Sequence, residues 1–225
     1  LDLAETNFQI DPGALKAAVT EKTKAIILNS PNNPTGVVLT EASLAAVKEA
    51  VLGKPIFVIC DNVYNQLTYG PCPDLSLDPM LKDQILLCQS FSKPWAMTGW
   101  RLGWLAAPAA LIDKFTLLQA AQIASVPTFL QKAAETALKV DVADMAYGYR
   151  KRREYMLARL DQMGLPYPKP QGAFYVFPEI GKFGISSDEF CQRLLEKHRV
   201  ACVPGTAFGD SGEGYIRCSY ATSTE

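Results

Sequence analysis

The segment Ser90-Phe91-Ser92-Lys93-Pro94-Trp95-Ala96-Met97-Thr98-Gly99-Trp100-Arg101-Leu102-Gly103 places one lysine among hydroxyl side chains and eight residues before an arginine. A lysine amine closes a Schiff base with an aldehyde, and serine hydroxyls together with a guanidinium fork hold a phosphate. Read this way, the segment suits a phosphorylated aldehyde. Lys93 is the covalent anchor, and Ser90, Ser92 and Arg101 are the phosphate donors. The same residue types also populate solvated loops, which is where most lysines and arginines are found.

Three further clusters carry candidate chemistry. Asn29-Ser30-Pro31-Asn32-Asn33-Pro34-Thr35-Gly36 follows an apolar run, so it falls at the carboxyl end of a strand, where open α/β sheets bind ligands. Pro34 biases Asn33 toward extended backbone and Gly36 accepts a positive φ, which fixes the direction of the Asn33 amide; a plain turn has the same composition. Asp61 ends the run Phe57-Val58-Ile59-Cys60 at a second strand terminus, and Tyr64 follows in Asp61-Asn62-Val63-Tyr64. A carboxylate there faces a ligand or caps a helix. Arg217 interrupts Tyr215-Ile216-Arg217-Cys218-Ser219-Tyr220-Ala221, and a guanidinium among apolar strand neighbours needs an anion, either a ligand or a nearby acid.

The fourteen-residue lysine segment resembles the signature of the class I/II aminotransferases, the aspartate aminotransferase-like proteins of fold type I, which bind pyridoxal 5'-phosphate (PLP). The other three clusters match that family in order and interval, and the resemblance spans about residues 25–221. It implies that Asn33 and Tyr64 hydrogen-bond the ring oxygen of PLP. Asp61 keeps the pyridine nitrogen protonated, so that the ring acts as an electron sink. Arg217 grips the α-carboxylate of the substrate. Gly172-Ala173-Phe174-Tyr175 resembles the strand lining the substrate side. On this resemblance the protein moves an amino group between an amino acid and a 2-oxo acid, with the freed Lys93 as general base. Two other activities occur on related scaffolds: a PLP-dependent β-elimination that breaks a carbon–sulfur bond, and an aminotransferase-like effector domain behind a DNA-binding module in a transcription regulator. Between Phe115 and Tyr149 there is no arginine of the kind that dicarboxylate-specific relatives use for a second carboxylate. The family's sites lie at subunit boundaries, so a homodimer is expected.

The elements that must position these residues are α/β. Strands are expected at 25–28, 56–60, 85–88 and 101–106, with a helix at 41–52 capped by Thr40 and stopped by Gly53. Helices follow near 111–124, 128–139 and 142–163, then a strand at 173–177, a helix from Ser187, and strands at 201–203 and 215–221. The expected fold is of the PLP-dependent transferase type: a large domain with a mostly parallel sheet (residues 1–145) and a smaller C-terminal α/β domain (residues 146–225). Both ends read as cut. Leu1 opens in an extended segment, and Thr222-Ser223-Thr224-Glu225 has capping-box spacing with no helix after it.

The 225 residues carry a formal net charge of -1, which offers no electrostatic footprint for nucleic acid or an anionic membrane. Six cysteines contain no C-x-x-C pair and there is a single histidine, His198, so a metal site is not expected and the thiols are expected to be reduced and structural. His198 is assigned to a helix C-terminus, and Trp95, Trp100 and Trp104 to packing. No apolar stretch reaches membrane-spanning length and the first ten residues lack signal-peptide character, so a cytoplasmic location is expected.

Overall fold

The computed structural model describes residues 6–223. The extended segment at Leu1, and the Thr224 and Glu225 end of the capping-box pattern, lie outside them.

The larger sheet has the order β1-β2-β3-β4, built from β1 (Ala25–Asn29), β2 (Phe57–Asp61), β3 (Ile85–Ser90) and β4 (Gly103–Ala106). β1, β2 and β3 run parallel, and β4 returns antiparallel to β3. The parallel β1–β2 pair requires a crossover, supplied by α2 (Glu41–Val51). Thr40 starts that helix by accepting the N–H of Ser43, and Gly53, at φ 73°, follows its end. Its Leu44, Val47 and Val51 are buried against Leu28, Ile56, Val58 and Ile85. Each such side chain contributes about 1.5–3 kcal/mol by leaving water. A short helix, α1 (Pro12–Ala18), packs beside α2, with Asp11 accepting the Ala14 N–H as its cap and Pro12 in the first turn.

Burial along β1 alternates rather than being continuous, and Ile27 is 70% exposed. The apolar run predicts cover on both faces. Among the described residues, helix packs on one face only at this strand.

Three helices follow: α3 (Ala109–Ile123), α4 (Thr128–Ala137) and α5 (Ala143–Met163), the last ending at Gly164 in the left-handed region. The smaller sheet, β5-β7-β6, is antiparallel throughout and is formed by β5 (Tyr175–Val176), β6 (Val203–Pro204) and β7 (Ile216–Ser219), with α6 (Ser187–His198) beside it. These strands are shorter than the apolar runs that predict them. Ala173 takes φ 56°, which ends regular pairing before β5, and Pro204 has no N–H with which to extend β6. The expected strand at 101–106 begins only at Gly103, because Arg101 sits at φ 52° after a one-turn 3-10 helix at Thr98–Trp100.

The two sheets are joined through the segment before β5. Gly36 accepts the N–H groups of Gln171 (2.7 Å) and Gly172 (2.9 Å), and Leu67 accepts that of Ala173 (2.8 Å). Gly36 is at φ 72°, and a Cβ there would lie 2.7 Å from the Tyr175 carbonyl, so only glycine fits this crossing.

Candidate active site

The carboxyl ends of β1 and β2 are in register, Asn29 beside Asp61, and Asp61 is beside Cys88 of β3. The candidate residues gather at this end of the sheet, as the strand-terminus argument requires.

Asn29, to which sequence reasoning gave no role, organises the loop. Its amide donates to the Asp61 carbonyl (3.2 Å) and its Oδ1 accepts the Asn33 N–H (2.8 Å). Asn32 closes the next turn by accepting the Thr35 hydroxyl at 2.8 Å. The signal was present in the sequence, because a polar residue ending an apolar strand before an Asn/Pro turn is placed to bond local backbone. Both prolines of the loop, Pro31 and Pro34, follow cis peptide bonds.

Asn33 is thereby aimed at the smaller sheet, where its Oδ1 accepts a hydrogen bond from Arg217 Nη1 at 2.8 Å. The Arg217 guanidinium lies 4.6 Å from the Tyr175 ring centroid and 5.0 Å from that of Phe208. Phe208, in a 3-10 turn after β6, was not anticipated. The ion pairs among the described residues are Lys48–Asp78, Lys132–Glu135 and Arg193–Glu189, and none involves Arg217. The arginine is therefore fixed by one amide and two aromatic faces, with its charge left for an anion.

Asp61 is the complementary case. Its Oδ1 is buried and has no hydrogen-bond partner among the described residues. Burial pushes its pKa up, opposed by the N–H of Val63. No helix starts after it, so it does not serve as a helix N-cap. A buried acceptor left unpaired costs about 1–3 kcal/mol, so this geometry suits a donor supplied by a ligand, such as a protonated ring nitrogen.

Tyr64 is buried, and its hydroxyl lies 3.0 Å from that of Tyr175. Burial, then this hydrogen bond, raises the Tyr64 pKa. Lys93 Nζ stands 5.9 Å from the Tyr64 ring centroid and 5.8 Å from that of Phe174. Lys93, Tyr64, Tyr175, Arg217 and Asn33 thus form one connected set. The phosphate candidates form a neighbouring group in the β3–β4 turn: Ser90 Oγ accepts the Ser92 N–H (3.1 Å) and donates to the Leu102 carbonyl (3.3 Å). Arg101 is exposed and donates to the Thr98 carbonyl at 2.8 Å. Its guanidinium is held within its own turn rather than against either serine.

Trp95 packs on Phe91, with ring centroids 5.1 Å apart, whereas Trp100 and Trp104 are each 44% exposed, so packing within the chain accounts for only one of the three. His198 lies in the last turn of α6. Among the described residues no three His, Cys, Asp or Glu side chains cluster for a metal ion, and no helix is long and apolar enough to cross a membrane.

Comparison with known proteins gives one answer. The family model for aminotransferase class I and II matches residues 3–225. The aspartate aminotransferase of Pyrococcus abyssi is 44% identical over 98% of this chain and 59% of its own length. For aromatic-amino-acid aminotransferase 2 of Thermococcus litoralis the identity is 42%, with the same coverage of each chain. The crystal structure of an aromatic aminotransferase from Pyrococcus horikoshii superposes with a TM-score of 0.92 at 43% identity, covering 98% of this chain and 61% of that one. The chain spans 59% of the length of these two curated relatives. It is an α/β chain of the fold type I transferase architecture and belongs to the class I and II aminotransferase family.

Proposed function

We propose that this chain is the greater part of a PLP-dependent aminotransferase that moves an amino group between an amino acid and a 2-oxo acid. The observation that carries the reading is Asp61: a buried carboxylate oxygen without a partner, at the strand end beside the loop that presents Asn33 to Arg217. When bound, PLP supplies an electron sink for a carbanion at the substrate Cα.

The residues divide the remaining work. Lys93 would anchor the cofactor aldehyde through Nζ, and the same amine, when free, would be the base that takes the Cα proton and delivers it to the former aldehyde carbon. Asp61 would hold a proton on the ring nitrogen by its opposite charge in a buried setting. Asn33 and Tyr64 would hold the ring oxygen, while Ser90, Ser92 and, once turned from the Thr98 carbonyl, Arg101 would hold the phosphate. Arg217, packed on the rings of Tyr175 and Phe208, would take the α-carboxylate by a two-pronged pair. That fork would orient Cα–H toward Lys93, with the Phe174 and Tyr175 rings, which pack on Lys93 and Arg217 respectively, shielding the reacting side from water.

On this reading residues 1–145 belong to the larger, cofactor-binding domain and residues 146–225 to the smaller one, with α5 as the link. A homodimer and a cytoplasmic location, expected from the resemblance and the sequence, stay part of the proposal.

The test uses the full-length protein. Lys93→Ala abolishes the visible absorbance of the bound cofactor and lowers transamination at least about 10³-fold. Persistence of both in the purified variant contradicts the assignment.

A further inference from the structure

Cys202 and Cys218 have no part in the chemistry above, yet their sulfurs are 3.6 Å apart. The β6–β7 register pairs Val203 with Arg217 and Pro204 with Ile216, which puts Cys202, one residue before β6, opposite Cys218. Pro204 has no N–H, and the ladder hydrogen bond falls at the next residue, where Gly205 N–H donates to the Tyr215 carbonyl at 2.9 Å. The Pro204–Ile216 pair is therefore of the non-hydrogen-bonded kind. So is the pair two positions along, Cys202–Cys218, because the two kinds alternate. Residues opposed in this way have Cα atoms about 4.5 Å apart and the closest side chains. That separation is inside the roughly 4.4–6.8 Å that a disulfide spans.

The two thiols are not equivalent. The hydrogen bond shared by the two sulfurs holds the Cys202 pKa below the ordinary thiol value against the effect of burial, and it raises that of Cys218. Cys191, in the same apolar cluster, is pushed to about 11 by burial. Cys202 and Cys218 are both half-buried whereas Cys191 is buried, so the pair is within reach of a small oxidant.

We propose that Cys202 and Cys218 are a dithiol oxidation site, taking a low-molecular-weight disulfide of the glutathione type as oxidant. The Cys202 thiolate attacks one sulfur of the oxidant, forming a mixed disulfide and expelling one thiolate. Cys218 loses its proton to that thiolate and attacks Cys202 Sγ, expelling the second. Two protein thiols are oxidised to one disulfide, and one small disulfide is reduced to two thiols. The crosslink staples β6 to β7 at the residue after Arg217.

The experiment incubates the full-length protein with oxidised glutathione, quenches with acid and alkylating agent, and maps peptides without reduction. The expected result is a Cys202–Cys218 peptide and the loss of two of the six alkylatable thiols. Cys202 should be modified at least about tenfold faster than Cys60 or Cys191. Cys218→Ser should stop at a glutathione adduct on Cys202, and Cys202→Ser should give no disulfide at Cys218. Near-unchanged circular dichroism in both variants shows that the fold is retained. Alkylated Cys202 and Cys218 in the oxidised sample, a Cys191–Cys202 bridge, or an adduct-free Cys202 in Cys218→Ser each overturns the proposal.

Discussion

At Asp61, stability and chemistry pull in opposite directions. Its folded-state pKa is raised by burial, so the protonated form is the one favoured by folding. The benefit is complete below the unfolded-state pKa and is lost as pH rises through the folded value. Above that value the ligand-free protein carries the cost of a buried, unpaired carboxylate oxygen. Asp61→Asn should stabilise the ligand-free protein by about 1–3 kcal/mol at pH 7 and by much less at acid pH, while abolishing turnover; denaturant midpoints at the two pH values, with m unchanged, check this. Equal or lower stability at pH 7 contradicts the burial argument. Arg217 gives a second test. Arg217→Lys keeps the charge but loses the planar fork and the stacking on Tyr175 and Phe208. The Michaelis constant for the amino donor should rise about 10- to 150-fold, the worth of one charge-assisted hydrogen bond. An unchanged constant would sink the carboxylate assignment. Lys93, Asp61 and Arg217 were singled out by type and spacing, and the structure places them around the strand ends and the smaller sheet as described above. Asn29 was signalled only by its place at a strand end before an Asn/Pro turn, and Phe208 was not signalled at all, since its role is set by what it touches.

Among the elements, helix and strand identity was readable and boundaries were less so. Thr40 and Gly53 announce α2, and Asp11-Pro12 announces α1 just as clearly, although periodicity alone did not single out a helix of seven residues. Strand ends failed where backbone conformation rather than hydrophobicity decides: Arg101 and Ala173 adopt left-handed φ angles that their residue types do not advertise. Gly36 is the element-scale hinge of the site, because its positive φ and lack of a Cβ let the Asn33 loop meet the strand bearing Tyr175. Gly36→Ala should cost about 1–3 kcal/mol, from the left-handed backbone together with the clash at Pro170 and the Tyr175 carbonyl. It should also weaken substrate binding by displacing Asn33 from Arg217. A variant of wild-type midpoint would show that the crossing is looser than these distances imply.

For the whole molecule, the order of four motifs along the chain pointed to the family; three of them sit at the carboxyl ends of β1, β2 and β3, and the fourth, with Arg217, lies in the central strand of the smaller sheet. What the motifs did not disclose is how the two sheets communicate. Sequence separation hides the Asn33–Arg217 and Tyr64–Tyr175 contacts, which link residues 184 and 111 positions apart. Such long-range pairs follow from topology and not from local pattern. They join the groups assigned to the cofactor ring with the groups assigned to the substrate, so a carboxylate arriving at Arg217 acts on a residue already bonded to the cofactor side. All of this presumes that the amine facing Tyr64 and Phe174 is the one that holds PLP. The most direct measurement is borohydride reduction of the full-length holoenzyme, followed by peptide mapping. The account predicts a single pyridoxyl group, on Lys93; the same mass on any other lysine, or none on the peptide containing Ser92 and Pro94, contradicts it.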